Sequence, residues 1–313
     1  MARLGNITGR TKSRPTWREV LEDYQAYKKL DGIGKQTASD YDRHVNLLFK
    51  RYPDAWDSDE KLKDAVFAHM SDHIMPATFN GRLVYLRAFF KYCVQEGHIK
   101  SNPLEKVRKR KEANRAIAIE QDVLKALLDA PDQSTFVGLR DYTLILLTLD
   151  TGIRPSEALS LIPKDFNATA CEVYVPSKVA KTRVARTLPI SDVTIKALRK
   201  LISVRAEEWA HDVPIFCSYE GNPLNRHTWG DRLEVYSKQI GTHIRPYDLR
   251  HVFALEFIRN GANAFTVQKA LGHTTMEMTR RYVALVNDDL KAEHAKSSPI
   301  RALTEKAKRQ TKI

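Results

Sequence analysis

The sequence predicts a mainly α-helical protein with a small antiparallel β-sheet, built as two domains. Apolar residues recur at helical spacing over most of the 313 residues, a length that suits two modest domains. Between residues 171 and 188 the pattern changes to alternating apolar and polar residues, which is typical of two paired strands. Residues 106–116 form a basic stretch between helical patterns and are interpreted as an interdomain linker.

The region before the linker is interpreted as a loose basic arm, residues 1–15, followed by a four-helix domain, residues 16–105. Thr16 and Glu19 have the spacing of a capping box, in which each residue satisfies a backbone N–H of the other, so they open the first helix. Gly32 ends that helix after about four turns.

Three further helices are predicted in this domain. Tyr41, Val45 and Leu48 place an apolar stripe at i, i+4 and i+7 in the second helix. The third is predicted over residues 62–70. Pro76, a residue type favoured in the first helical turn, opens the fourth.

Two sets of basic residues in this region are candidates for contact with a polyanion. One set lies outside the apolar stripe of the fourth helix. The other lies in the linker, where a basic run is equally compatible with a solvated tether. The candidates are Arg82, Arg87 and Lys91 in the helix, and Lys106, Arg108, Lys109 and Arg110 in the linker.

The chain has a strong excess of positive charge, with 51 Lys and Arg against 38 Asp and Glu and a formal net charge of +13. Residues 1–115 hold 23 of the basic and 15 of the acidic residues, so this part is the more basic per residue. Such an excess favours nucleic acid as a partner. No apolar run approaches the ~20 residues that cross a bilayer, and the N-terminus lacks an apolar signal core, so we expect a cytoplasmic protein without membrane contact.

The number and spacing of the cysteines argue against a disulfide framework and against a zinc site. Cys93, Cys171 and Cys217 are odd in number and widely spaced, which fits neither a disulfide framework nor a zinc site. We expect three buried, reduced thiols and no bound metal.

After the linker, residues 117–290 are interpreted as a second domain. The predicted strands of residues 171–188 enclose a loop that carries Lys178, Lys181 and Arg183. The basic tail, residues 291–313, has three interpretations: disorder, contact with DNA, or docking on a neighbouring subunit. Helices are expected near residues 120–130, 139–149, 225–240 and 248–260, and directly after residue 192.

Two segments of the second domain carry side chains suited to phosphate chemistry. Arg154 precedes Pro155 at a helix start, where exposed N–H groups attract anions. Arg250 and His251 follow Asp248, which is interpreted as the N-cap of a helix, so they would lie in its first turn. Taken alone, each segment also fits an ordinary helix start with surface arginines.

Three more residues extend this candidate site. Lys181 lies in the hairpin loop, where an ammonium could donate a proton to a leaving alkoxide. Gly272 is expected to end a helix and turn His273 into a cleft, and Tyr282 follows nine residues after the histidine. Each residue alone also has a structural explanation, and only their combination favours catalysis.

Together these segments resemble the signature motifs of the tyrosine recombinase, or phage integrase, family. The order and spacing of five positions match over most of residues 116–290, and the helical N-terminal domain is similar to the family's core-binding domain. The resemblance implies a two-domain DNA clamp with an α+β catalytic domain. The motifs are Thr151-Gly152-Ile153-Arg154-Pro155-Ser156-Glu157, Asp248-Leu249-Arg250-His251, Leu271-Gly272-His273, Tyr282, and Lys181 eight residues before Pro189.

The resemblance also implies a role for each of these five positions. Arg154 and Arg250 would bind the non-bridging oxygens of one scissile phosphate. Tyr282 would attack the phosphorus and form a 3′-phosphotyrosyl link. Lys181 would protonate the departing 5′-oxygen, and His273 would hydrogen-bond the phosphate. No metal, ATP or other cofactor is implied.

One position departs from the family pattern. The family usually has a histidine three residues before the second arginine, whereas this chain has Tyr247. A phenol can donate a hydrogen bond to phosphate but cannot act as a base near neutral pH. Glu157 matches an acidic position that would orient neighbouring donors, and His251 is assigned a supporting structural role.

The resemblance predicts a metal- and ATP-independent site-specific recombinase, with integration or excision of a mobile element as the preferred role. A resolvase of chromosome dimers, plasmids or transposon cointegrates is the alternative, and a type IB topoisomerase and a catalytically silent DNA-binding accessory protein are further hypotheses. The expected partners are duplex DNA with inverted-repeat core sites and, on two such sites, a tetramer of this chain that is a monomer or weak dimer in solution. An accessory factor that sets direction is also compatible with the prediction.

Overall fold

The computed structural model describes residues 14–112, 119–180, 182–286, 294 and 298–300. Contacts within the chain divide it into two compact units, residues 1–114 and residues 115–313. The predicted fold class is confirmed: the described residues are mainly helical, with one small antiparallel sheet. Most of the predicted basic arm and tail lies outside the described residues.

All the regular secondary structure in the described part of the N-terminal unit is helical. The predicted capping box at the first helix is confirmed, because the Glu19 N–H donates to Thr16 Oγ1 at 3.3 Å and the Thr16 N–H donates to Glu19 Oε2 at 2.7 Å. The elements are α1 (Trp17–Leu30), α2 (Lys35–Arg51), a single 3₁₀ turn (Pro53–Trp56), α3 (Asp59–Met70) and α4 (Pro76–Gln95).

The prediction that Arg82 lies on an exposed face of α4 is wrong. Its side chain is buried, and Nη1 donates to the His69 carbonyl at 2.8 Å and to Asp72 Oδ2 at 2.6 Å. Arg51 binds the same carboxylate at 2.6 Å. The packing of the unit buries more of α4 than its apolar stripe. Arg82 is therefore buried, and it is stabilised by a hydrogen bond to a backbone carbonyl at the end of α3 and by an ion pair with Asp72.

The other basic candidates of this unit divide into two groups. Arg87 is half-buried, and its guanidinium donates to the carbonyls of Leu104 and Val107, so it holds the start of the linker against α4. The remaining ones are exposed and keep their charge at the surface: Lys91, Lys106, Arg108, Lys109 and Arg110.

The start of the linker is not a loose tether over residues 106–112. Asn80 of α4 donates to the Arg110 carbonyl at 2.9 Å and accepts from the Arg110 N–H at 2.8 Å. The Arg110 guanidinium lies 3.8 Å from the centroid of the Phe79 ring, a cation–π contact. The Asn80 side chain thus fixes the backbone of this segment to α4.

The C-terminal unit combines the sheet with helices. The predicted hairpin is confirmed, since Val173 faces Leu188 across two antiparallel strands and both side chains are buried. A third, two-residue strand was too short to leave a sequence pattern. The elements are α5 (Gln121–Asp129), α6 (Phe136–Thr151), α7 (Pro155–Ala158), a 3₁₀ turn (Pro163–Asp165), β1 (Phe166–Asn167), β2 (Glu172–Val175), β3 (Arg186–Pro189), α8 (Asp192–Ser203), α9 (Arg226–Ile240), α10 (Pro246–Arg259), α11 (Ala264–Leu271) and α12 (Met276–Val286).

One cysteine differs from the prediction. Cys93 and Cys217 are buried, but Cys171 is exposed in a turn with a positive φ of 55°, just before β2. Its position in an apolar-polar alternation suggested burial, yet the strand begins only at the next residue. Within the described ranges, no helix is long and apolar enough to cross a membrane.

Candidate active site

Four of the five predicted catalytic residues are brought together in the C-terminal unit: Arg154 and His273 lie after two turns, and Arg250 and Tyr282 lie on the helices α10 and α12. Arg154 Nη2 donates to the Gly272 carbonyl at 2.9 Å. Arg250 on α10 donates from Nη1 to the Gly152 carbonyl at 2.5 Å and from Nη2 to the Leu271 carbonyl at 2.8 Å. The turn after α6 and the turn after α11 therefore meet around two guanidiniums. The fifth residue, Lys181, lies outside the described residues.

The turn after α6 depends on a glycine. Gly152 has a φ of 62°, in the left-handed region that residues with a Cβ rarely adopt. A Cβ there would also lie 2.3 Å from Phe253 Cδ1 and 2.7 Å from Leu271 Cδ2. Glycine thus lets α10 and α11 pack closely against the residues that precede Arg154.

We expect Gly152→Ala to lower the free energy of unfolding of the protein by about 2 kcal/mol or more, because backbone strain and steric overlap add. Urea unfolding measures the loss. The matched control is Gly230→Ala within α9, where a Cβ meets nothing within 4 Å and alanine is the better helix former by roughly 0.5–1 kcal/mol. Equal stability of the two variants would contradict the close packing at Gly152.

A buried carboxylate links Arg154 to a second arginine. Glu157 is fully buried, and its Oε1 accepts from Arg154 Nη1 at 3.1 Å. Arg186 on β3 binds both carboxylate oxygens, with Nη2 at 2.6 Å from Oε2. Burial acts to raise the pKa of Glu157, but the hydrogen bond and charge of Arg186, followed by those of Arg154, hold it below its ordinary value. Glu157 is therefore ionised, and it orients Arg154.

Arg186 is a site residue that sequence reasoning missed. Its Nε also donates to the Ala270 carbonyl at 3.3 Å, and its guanidinium packs against Gly272. The signal in the sequence was an arginine between Val184 and Leu188, on the apolar side of a predicted strand. A charged residue at such a position needs a buried partner, which here is Glu157.

The second arginine remains charged despite its burial. Desolvation and then the nearby charge of Arg154 lower the pKa of Arg250 to about 10, still well above neutral pH. Its guanidinium donates to two backbone carbonyls, those of Gly152 and Leu271. Two charged guanidiniums in one buried site form a preorganised place for an anion such as a phosphate.

Tyr282 on α12 lies between two histidines. It is only 9% exposed, its Oη is 2.6 Å from His251 Nδ1, and its ring stacks on His273 with 6.4 Å between centroids. Burial raises the pKa of Tyr282, and Arg250 and Arg281 partly oppose this. The hydroxyl therefore keeps its proton at neutral pH.

The other histidine is held neutral and oriented. His273 Nδ1 is 2.9 Å from Thr279 Oγ1, and among the described residues its Nε2 has no hydrogen-bond partner, so Nε2 is the ring nitrogen available to a ligand. Burial, with the charges of Arg250 and Arg154, lowers the pKa of His273 to about 4. A neutral imidazole in this position can donate one hydrogen bond to a bound oxyanion.

The start of α10 differs in detail from the prediction. The helix begins at Pro246, so Asp248 is not the N-cap but the third helical residue, where its carboxylate accepts from the Arg245 N–H at 2.9 Å. Arg250 and His251 consequently lie in the second turn. Tyr247 is 48% exposed, and among the described residues its hydroxyl has no hydrogen-bond partner.

Over the described ranges, no group of three or more His, Cys, Asp or Glu side chains is arranged to hold a metal ion. The site instead presents buried arginines, two neutral imidazoles and a protonated phenol.

Comparisons with known proteins identify the family of this chain. Residues 118–288 match the model of the phage integrase family. The tyrosine recombinase XerD of Pseudomonas aeruginosa is 30% identical over 92% of this chain and 91% of its own length, and XerD of Lacticaseibacillus casei is 28% identical over 90% and 98%. The Tn1549 transposon integrase bound to transposon right end DNA has the same fold, with a TM-score of 0.70 and 19% identity over 91% of this chain and 99% of that one. The chain therefore belongs to the phage integrase family and is a tyrosine recombinase, a DNA strand transferase that acts through a tyrosine nucleophile.

Proposed function

We propose that this chain cleaves and rejoins duplex DNA at specific sites, with Tyr282 as the nucleophile and Arg154 and Arg250 as the groups that bind the scissile phosphate. The main support for this proposal is that a buried phenol and two buried, charged guanidiniums share one site, although they come from three separate segments of the chain. This combination suits attack on a phosphodiester, which is an anion with two equivalent non-bridging oxygens.

The arginines account for most of the rate enhancement in this proposal. As the fifth bond to phosphorus forms, negative charge grows on the non-bridging oxygens. Buried guanidiniums that are already oriented by Glu157 and by the carbonyls of Gly152 and Leu271 stabilise that charge without reorganisation. The low local dielectric strengthens this interaction compared with an exposed arginine.

The chemical step conserves one phosphoester bond. Tyr282 Oη bonds to phosphorus, and the bond from phosphorus to the 5′-oxygen breaks. We assign the proton for that oxygen to Lys181, and a hydrogen bond to the phosphate to His273. Because the 3′-phosphotyrosyl link stores the energy of the broken bond, the 5′-hydroxyl of a second strand can reverse the reaction without ATP.

The biological role is proposed to be resolution rather than integration. The sequence favoured integration or excision of a mobile element, but the relatives similar over nearly their whole length carry the name of Xer recombinases. Resolution converts two directly repeated sites on one circle into two circles. Integration instead joins sites on separate molecules.

The first step of the experiment identifies the DNA sequence that the protein binds. Tyr282→Phe protein, which is expected to bind without cleaving, selects duplexes from a random pool, and inverted repeats should emerge. Wild-type protein is then given a supercoiled plasmid with two direct copies of the selected site, in the presence of EDTA and without ATP. We expect two smaller circles, formed faster than joint molecules from plasmids that carry one site each.

Each alternative hypothesis has its own outcome in this experiment. Relaxation of the plasmid without exchange would identify a topoisomerase. Binding without any cleavage by wild-type protein would identify an accessory protein. Faster joining of separate plasmids would restore the integrase role.

The exposed basic residues of the linker are proposed to contact DNA phosphates. Replacing Lys106, Arg108 and Lys109 with alanine should weaken binding and flatten the plot of log K against log salt by about 2–3, because each phosphate contact contributes ~0.9 to the slope. Arg110→Ala is the comparison, and we expect a smaller change because its guanidinium already packs on Phe79. An unchanged slope in the triple variant would show that the linker is a spacer.

A further inference from the structure

The shortest route for the proton of the proposed nucleophile leads to His251. Tyr282 Oη and His251 Nδ1 are 2.6 Å apart, within the range of a strong hydrogen bond. The two residues lie on α12 and α10, and their rings are in tilted contact with 5.7 Å between centroids. The tyrosine is buried and the histidine is half-buried, so little bulk water competes for this hydrogen bond.

The two groups are in the protonation states that a base and its substrate need. Burial lowers the pKa of His251, Asp248 opposes this, and the charges of Arg250 and Arg281 add to it, so the ring is neutral at neutral pH. Burial also raises the pKa of Tyr282, so the phenol carries its proton. A neutral imidazole with its hydrogen on Nε2 presents Nδ1 as an acceptor to that hydroxyl.

Other candidates for this role are less well placed. His273 stacks against the Tyr282 ring, and its Nδ1 is engaged with Thr279 Oγ1. Tyr247, at the position where the family usually has a histidine, is half-exposed and is itself a phenol. Among the described residues, neither His273 nor Tyr247 forms a hydrogen bond with Tyr282 Oη.

We infer that His251 is the general base that accepts the Tyr282 proton as the phosphotyrosyl bond forms. The inference rests on the proposed function. In the step, the Oη–H bond breaks and its proton passes to Nδ1, the Oη–P bond forms, and the P–O5′ bond breaks with protonation of the 5′-oxygen. During rejoining, the His251 imidazolium returns its proton to the leaving tyrosine.

The chemistry favours transfer during attack rather than before it. A phenol is a far weaker acid than an imidazolium, so a free tyrosinate would rarely exist in this site. As Oη bonds to phosphorus its acidity rises steeply, and the imidazole then becomes the stronger base. Such positioned proton acceptors typically contribute ~10²–10⁴-fold to a rate.

The test uses single-turnover cleavage of a nicked suicide duplex built on the selected site. We expect His251→Ala and His251→Asn to slow formation of the covalent adduct about 100-fold or more, with binding within twofold of wild type. Asparagine can place an oxygen near the Nδ1 position but is not basic. His211→Asn, at an exposed position, is the matched control and should cleave at the wild-type rate.

Two further readouts separate a base from a structural support. Imidazole added to the buffer should accelerate His251→Ala, because the free base can enter the space left by the ring. A 5′-bridging phosphorothiolate substrate, whose leaving thiolate needs no proton, should rescue Lys181→Ala but leave the His251 variants slow.

The outcomes distinguish this inference from the proposed function. If wild-type protein forms no adduct, the proposed function fails. If wild type forms the adduct and the His251 variants cleave within threefold of it, or are rescued by the phosphorothiolate, the assignment of His251 as base is overturned while the proposed function stands.

Discussion

Tyr282→Phe is expected to abolish both the covalent protein–DNA adduct and recombination. The substitution removes one oxygen atom, the only atom of this side chain that can bond to phosphorus. The ring, which packs in the cluster with Phe253 and Leu271, is retained. We therefore expect no detectable adduct on the suicide duplex, whereas affinity for the intact site stays within a few-fold of wild type.

The measurement is a denaturing gel that separates free protein from protein joined to labelled DNA. Peptide mapping of the wild-type adduct should place the 3′-phosphate on Tyr282. The matched control is Tyr219→Phe, since Tyr219 is 75% exposed and is not among the site residues. An adduct of normal yield in Tyr282→Phe would assign the nucleophile to another residue.

The thermal stability of Tyr282→Phe measures what the hydrogen bond between Tyr282 and His251 contributes to folding. Phenylalanine leaves His251 Nδ1 without the partner that it has at 2.6 Å. A neutral hydrogen bond of this kind contributes about 0.5–1.5 kcal/mol, so only a small loss is expected. The catalytic loss is thus far larger than any change in folding.

Local patterns were sufficient to predict much of this fold. The capping box at Thr16 and Glu19 involves residues three apart, and the β2–β3 hairpin involves strands close in sequence. Such features depend on nearby residues and so leave a direct trace in the order of amino acids. The motif around Arg154 is equally local, because its proline and Glu157 shape one short turn.

Features that depend on distant packing were missed. Arg82 looked like a surface residue until α3 and Asp72 covered it. His251 and Tyr282 are 31 residues apart, and their hydrogen bond follows from how α10 and α12 pack. No spacing rule in a single sequence encodes that contact, so His251 was assigned only a supporting structural role.

Arg250→Ala is expected to reduce cleavage at least about 1,000-fold, because it removes a preorganised cation from the developing charge, and single donors of this kind are typically worth 10²–10³. Two features raise the expected loss. The group is a full charge rather than a neutral donor, and its removal takes the Arg250 hydrogen bonds from the Gly152 and Leu271 carbonyls. The turns that position Arg154 and His273 would then loosen together.

Binding should respond much less than cleavage. Affinity for DNA is spread over many phosphate contacts, so one buried arginine contributes a small share. We expect the dissociation constant of Arg250→Ala and of Arg154→Ala to rise by less than about tenfold. Gel-shift titration beside single-turnover cleavage measures both effects on the same duplex.

Arg250→Lys shows whether a positive charge alone is sufficient for cleavage. Arg250→Lys keeps a positive charge, but an ammonium cannot bridge two carbonyls and a phosphate as a planar guanidinium does. It should therefore recover only part of the rate lost in Arg250→Ala. Arg259→Lys, at the exposed end of the same helix, is the matched control and should cleave normally. If Arg250→Ala lost binding in proportion to cleavage, its guanidinium would serve recognition of the DNA rather than stabilisation of the transition state.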